Sequence, residues 1–77
     1  MILYRTSWCG VCKQAAAFFK KQGIAFVEKD IEKEAGAASE MRSKCERAKL
    51  QCSGVPVIDV DGRLIEGFNQ SAIKELL

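Results

Sequence analysis

The sequence predicts a small α/β domain with the element order β-α-β-α-β-β-α. Three observations carry that reading. The opening of the chain runs strand, helix, strand, from Ile2 to Lys29. Near the other end, Asp61-Gly62 joins two β-rich runs, Val57–Val60 and Arg63–Glu66. Between a first apolar run and the first helical pattern stand two thiols, Cys9 and Cys12, in a Cys-x-x-Cys spacing. That spacing beside a βαβ pattern is a specific signal of dithiol redox chemistry.

Each element has its own local reason. Ile2-Leu3-Tyr4-Arg5 reads as a short buried strand, and Ser7 leads the turn into a helix. From Gly10 onward, Val11, Ala15, Phe18 and Phe19 recur at helical spacing, with Lys13, Gln14, Lys20 and Lys21 on the wet face. Gly23 follows the last periodic residue and reads as the helix stop. Ile24–Lys29 is the second strand, expected parallel to the first through a right-handed crossover. Asp30 is the expected N-cap of a second helix, whose apolar stripe is Ala35, Ala38, Met41, Cys45 and Ala48. Gly36 weakens its first turn by about 1 kcal/mol relative to Ala. The charged residues around that stripe read as a solvated face.

Cys52-Ser53-Gly54-Val55-Pro56 leads out of that helix. Asp61-Gly62 predicts a type I′ turn, so the last two strands are antiparallel. Gly67-Phe68 turns the chain again. Asn69 or Ser71 then caps a short helix whose Ala72, Ile73, Leu76 and Leu77 face inward.

Composition narrows the function. The 77 residues suit one domain, 1–77, which buries only about 60% of its unfolded surface. A net charge of +2 implies no strong pull toward nucleic acid or membranes. No apolar run approaches the ~18 residues of a membrane span, and nothing resembles a signal peptide. A cytoplasmic setting follows as the expectation. In a reducing cytosol, four cysteines argue for catalysis or metal rather than structural disulfides.

A thiol at a helix N-terminus feels unpaired N–H groups and the positive end of the macrodipole. Both favour the thiolate at Cys9, with Arg5 and Lys13 as further cations nearby. A thiol one turn further on attacks whatever disulfide the first one forms. The competing reading is structural zinc held by Cys9, Cys12, Cys45 and Cys52, because the chain has no His. The six-residue gap between Cys45 and Cys52 is loose for a zinc knuckle. On its apolar stripe Cys45 reads as a small core hydrophobe. A straight helix through Cys45 and Cys52 would set their Cα atoms ~10 Å apart, beyond disulfide reach. A bond between them needs the helix to end first, near Leu50. Cys52 itself is either an accessory thiol or a loop residue.

The element order, with Cys-x-x-Cys at the head of the first helix, resembles the thioredoxin fold. Tyr4 through Cys12, Gly54-Val55-Pro56 and Gly67-Phe68 look like a glutaredoxin or an NrdH-type redoxin. The resemblance covers essentially the whole chain. It implies a four-stranded mixed sheet of order 2-1-3-4 with helices on both faces. It also implies that Pro56 is a cis-proline facing the dithiol, although only about 5–6% of X–Pro bonds are cis. Val55 would then offer its backbone N–H and C=O to an extended peptide or to glutathione.

By that likeness Cys9 and Cys12 are the catalytic pair of a thiol–disulfide oxidoreductase, an electron carrier of cell redox homeostasis. Cys9 attacks and Cys12 resolves. Trp8, Arg5, Val55, Pro56, Gly67, Phe68 and Asn69 form the substrate-binding surround. Trp8 either walls the sulfur or packs under the loop. Two departures from the family stand out. The spacer is Gly10-Val11, where many glutaredoxins carry Pro-Tyr. The glutathione-binding Lys and Asp are missing: the nearest cation is Arg5, one position early, and Asn69 and Gln70 stand where acids would be. The Gly67-Phe68 pair looks like the NrdH-type turn, whose class takes electrons from thioredoxin reductase and serves ribonucleotide reductase. The implied partners are therefore a disulfide-containing protein and either thioredoxin reductase or glutathione. The chain is expected to be a monomer with no tightly bound cofactor. Two further readings stay open: an iron–sulfur carrier in which Cys9 and glutathione bridge a cluster between two chains, and a zinc-bound interaction module.

Overall fold

The computed structural model describes residues 1–76, so the inward-facing role expected of Leu77 lies outside the described residues. Seven elements follow in order: β1 (Ile2–Arg5), α1 (Gly10–Lys21), β2 (Val27–Asp30), α2 (Ala37–Arg47), β3 (Val57–Val60), β4 (Arg63–Glu66) and α3 (Gln70–Leu76). The sheet order is β2-β1-β3-β4. β1 and β2 are parallel, and the other two pairings are antiparallel. This is the mixed 2-1-3-4 sheet of the thioredoxin fold.

Strand pleating sends alternate residues to opposite faces. Leu3, Ile58 and Ile65 lie in register across three strands and meet Ala15, Ala16 and Phe19 of α1 and Ile73 of α3. Their neighbours Tyr4 and Val57 meet Met41 and Cys45 of α2 on the other face. Helices therefore pack on both faces, and the sheet is the central layer.

The helix ends explain where the chain turns. α1 stops in a Schellman motif: Gly23 has φ +70 and donates to Lys20 O, while Ile24 donates to Phe19 O. That commitment of the Ile24 amide shortens the second strand. Pairing with β1 begins only at Val27, not at Ile24 as the apolar run suggested. Ile24 and Phe26 still pack on the α1 side of the core. The hairpin turn has positive φ at both Asp61 and Gly62, as a type I′ turn requires.

α2 departs most from expectation. Asp30 caps an isolated turn instead of the helix: its Oδ1 accepts from Glu32 N at 2.9 Å and its carbonyl accepts from Glu34 N at 2.9 Å. Gly36, at φ +83, then breaks the chain direction, and the helix starts at Ala37. The buried stripe is Ala37, Met41 and Cys45, spaced by four. Ala35 and Ala48 are exposed because they lie outside the helix, and Ala38 is half-buried because Ala37, four residues before Met41, takes the inward position. In α1, Val11 is exposed as well, since the buried position of that first turn belongs to Cys12.

α2 also ends in a Schellman motif, without a glycine. Lys49 takes the left-handed position at φ +60, and Leu50 donates to Cys45 O at 2.9 Å. A polar network pins this helix to the sheet. Tyr4 donates its hydroxyl proton to Glu40. Lys29 Nζ reaches Glu40 Oε1 at 2.9 Å, and Lys44 Nζ reaches Asp59 Oδ2 at 2.7 Å. The carboxylates there are held in their charged form. Hydrogen bonds from Tyr4 and Lys29 lower Glu40 to about 2. Burial would raise Asp59, but Lys44 and the Gly62 N–H outweigh it and hold the carboxyl below its ordinary range.

Candidate active site

The turn Thr6-Ser7-Trp8-Cys9 closes with the Cys9 N–H on Thr6 O at 3.4 Å and delivers Cys9 to the N-cap of α1. Cys9 has extended backbone, φ −83 and ψ 107. Its sulfur accepts the Cys12 N–H at 3.1 Å, taking the place of the Ser or Asp oxygen that normally caps a helix. The first turn of α1 contains no acidic residue. The Cys9 sulfur thus faces helix N–H groups and the positive end of the macrodipole with no carboxylate of that turn to oppose them.

Cys9 and Cys12 form a disulfide with Cα atoms 5.2 Å apart. Cys12 is fully buried, while Cys9 keeps 7% of its surface, so the outer sulfur belongs to Cys9. Opposite it, the Val55 carbonyl oxygen stands 4.0 Å from Cys9 Sγ. The Val55-Pro56 peptide bond is cis, as the resemblance implied. Gly67, at φ +77, donates to Pro56 O at 2.8 Å and ties this loop to the end of β4. Val55, Pro56, Glu66 and Gly67 line a groove of about 260 Å³ there.

The other residues predicted around the site fall into place unevenly. Trp8 is 69% exposed, and its indole N–H donates to Glu32 at 2.9 Å, so it does not pack under the loop. Arg5 stands at the end of β1, but its guanidinium is paired with Glu28 at 2.7 Å on the neighbouring strand. Phe68 turns its ring inward against Phe18, with centroids 5.5 Å apart, and packs on the core instead of presenting a face to the groove. Asn69 is the N-cap of α3, its Oδ1 accepting the Ala72 N–H at 3.1 Å.

One feature was not legible from pattern. Cys45 and Cys52 form a second disulfide, with Cα atoms 6.2 Å apart. The reading of Cys45 as a plain core hydrophobe is corrected accordingly. The reason is the early end of α2: the Schellman turn at 48–50 sends the chain back across the last helical turn. Among the described residues, no three Cys, Asp or Glu side chains gather as a metal-binding group, and each cysteine pair is closed on itself as a disulfide.

A thioredoxin-type sheet with a Cys-x-x-Cys disulfide at the head of α1 and a cis-proline loop across from it defines a redoxin. The comparisons with known proteins narrow this class. The glutaredoxin family model matches residues 1–65. A glutaredoxin-like 8.6 kDa protein from the rubredoxin operon of Clostridium pasteurianum, itself uncharacterized, is 36% identical over 75 residues, covering 97% of this chain and 93% of that one. The chain belongs to the glutaredoxin family. Among solved structures, a glutaredoxin from Archaeoglobus fulgidus superposes with a TM-score of 0.69 at 29% identity, over 97% of this chain and 82% of its own. A point mutant of the thioredoxin-like protein BC3987 gives a TM-score of 0.82 at 23% identity, over 97% of this chain and 90% of its own, a likeness of fold.

Proposed function

We propose that the protein is a thiol–disulfide oxidoreductase that reduces protein disulfides through Cys9 and Cys12. The observation that carries this reading is the Cys9 sulfur itself: it caps α1, accepts the Cys12 N–H and faces the Val55 carbonyl. In the reduced protein the same N–H groups stabilise a Cys9 thiolate. That thiolate attacks one sulfur of the substrate disulfide, and the other substrate sulfur leaves as a thiolate. The fully buried Cys12 then attacks Cys9 in the mixed disulfide, restoring the Cys9–Cys12 bond and releasing the second substrate thiol. The backbone groups of Val55 hold the substrate chain in an extended form beside the sulfur.

The electron source in this reading is a thioredoxin-reductase-type enzyme rather than glutathione. Arg5 is committed to Glu28, and Asn69 brings no charge to its position before α3. The setting is a reducing compartment such as the cytoplasm, where an exchange-active dithiol is used rather than locked. Trapping tests the core claim. Cys12→Ser, offered a disulfide protein, is expected to accumulate a mixed disulfide on Cys9 by mass spectrometry, and Cys9→Ser none on Cys12. Adducts on Cys12 in the Cys9→Ser protein, with none on Cys9 in the other, reverse the roles.

A further inference from the structure

The Cys45–Cys52 pair stands outside the exchange site yet borders its groove. Cys45 is 98% buried against Tyr4, Met41 and Val57, at 2% exposure. Cys52 is half-buried and lines the same groove as Val55 and Pro56. Its N–H donates to Glu66 Oε1 at 3.0 Å, one residue before the Gly67 that holds Pro56 O. The short loop from Cys52 to Pro56 is therefore fastened at three points: to α2 by the disulfide, and to the end of β4 by two hydrogen bonds.

Cys52 also sits at φ +46, in the left-handed region. A residue with a Cβ resists that conformation, and there is no glycine here to absorb it. The disulfide supplies a constraint that holds it. Opening the bond removes the constraint and leaves the strained residue free to relax, three residues upstream of the carbonyl that faces Cys9.

We propose that Cys45–Cys52 is a second, reducible redox centre that sets substrate affinity at the Val55–Pro56 edge. This rests on the exchange reading of Cys9 and Cys12 given above. The reductant is a small-molecule or protein dithiol. One of its thiolates attacks Cys52 Sγ, the reachable sulfur, and the Cys45 thiolate leaves and takes a proton. The second thiol of the reductant then attacks the mixed disulfide and releases Cys52 as a thiol. The pair gains two electrons and two protons, and the reductant becomes a disulfide. Closed, the pair holds the loop ready for an extended substrate. Open, it lets the loop relax, so that peptide binding weakens while the chemistry at Cys9 is unchanged.

The test uses the whole protein. Folded protein is equilibrated with graded dithiothreitol, alkylated and weighed. Cys45 and Cys52 are expected to become alkylated while circular dichroism shows the fold intact; a pair that opens only when the fold melts overturns the proposal as a mere staple. Second, Cys52→Ser is compared with wild type poised so that Cys9–Cys12 is open and Cys45–Cys52 closed, each in single turnover. With a disulfide-bonded peptide, the half-saturating concentration is expected to rise about fivefold or more in the variant. With hydroxyethyl disulfide, which is too small to use the loop, the rates are expected to match. Equal half-saturation on the peptide overturns the proposal. If neither protein reduces either substrate, the exchange reading fails by itself, and amide hydrogen exchange of wild type in the two states still decides the coupling. Faster exchange at Cys52 and Gly67 upon opening of the pair supports it, and unchanged exchange overturns it. The same measurement stands in if Cys52→Ser fails to fold.

Discussion

The Cys12 amide points at the Cys9 sulfur from 3.1 Å, so the second cysteine of the motif acts on the first through its backbone before its own thiol takes part. Helix geometry makes this automatic. A residue at the N-cap receives the N–H of the third residue into the helix, and Cys-x-x-Cys places the second cysteine there. The motif thus joins a sulfur that caps the helix to a partner, Cys12, that is fully buried.

The first prediction follows from that contact. Reduced Cys9 should titrate below an ordinary free thiol, because its thiolate, not its thiol, is stabilised by the N–H groups. Its alkylation rate should rise with pH and level off before that of a model thiol does. Iodoacetamide kinetics against pH, with Cys9→Ser as the control, measure it. A Cys9 profile that coincides with the model thiol contradicts the capping argument.

A second prediction concerns the end of α2. Lys49 holds the left-handed C′ position that glycine occupies at the corresponding end of α1, at Gly23. Lys49→Gly should relieve roughly 1–2 kcal/mol of that cost and give back roughly 0.5–1 kcal/mol in the entropy a glycine adds to the unfolded chain, a net gain of up to about 1 kcal/mol. In a domain of this size 1 kcal/mol is a rise of about 4–8 °C in Tm. Lys49→Ala keeps the Cβ and should leave Tm nearly unchanged. Thermal unfolding with both disulfides closed compares the three proteins.

Lys49 and Gly36 also show where the sequence was legible and where it was not. Gly23 and Asp61-Gly62 announce their turns because those residue types adopt positive φ at little cost. The βαβ start and the hairpin follow from such signals and from apolar spacing, while the sheet order follows from the resemblance to the thioredoxin fold. At Lys49 and Cys52 the left-handed backbone falls on residue types that do not mark it, at a helix end closed without glycine and at a disulfide-bonded loop residue. The Cys45–Cys52 pairing was hidden for the same reason. Gly36 carried a signal that pointed two ways: it weakens a helix interior but also starts a helix, and only the burial of Ala37 decides between them. At the site, Cys9 and Cys12 stood out as a motif, and the cis-proline loop of Val55 and Pro56 was expected only from the resemblance. The partners that occupy Arg5 and Phe68 were not legible, because Glu28 and Phe18 reach them through the fold; the cap that Asn69 makes on the Ala72 amide was expected from its place before the last helix.

The third prediction is a loss of stability in acid. Glu40 is lowered from 4.5 to about 2 by the hydrogen bond from Tyr4 and then by that from Lys29. A depressed folded-state value means that its contribution is full above 4.5 and is lost as pH falls toward 2. Urea midpoints should therefore drop between about pH 5.5 and about pH 2.5. Glu40→Gln should be less stable at the upper pH and show a flatter decline. A variant as steep as wild type would place the acid sensitivity elsewhere.

The last prediction concerns the electron source. Glutathione carries two carboxylates and one amine, and a site for it needs cations and an anion at matching points. Here the cation that precedes the motif, Arg5, is spent on Glu28 at 2.7 Å. The residue before α3, Asn69, uses its side-chain oxygen as a cap for Ala72. Charge-assisted hydrogen bonds are roughly twice as strong as neutral ones, so each missing charge costs about 1 kcal/mol or more, about fivefold or more in affinity. Oxidised protein should therefore be reduced poorly by glutathione and well by a thioredoxin-reductase-type enzyme, in coupled assays that follow NADPH. Saturable reduction by glutathione, with no response to the reductase, would show that backbone contacts at Val55 suffice and that the missing charges do not matter. Asn69→Asp isolates the cause. Aspartate caps a helix about as well as asparagine, so α3 should keep its stability while the new carboxylate meets the glutamyl amine. Glutathione-driven turnover should rise severalfold in that variant, with reductase-driven turnover unchanged. A rise in both, or in neither, would remove the charge at position 69 as the determinant.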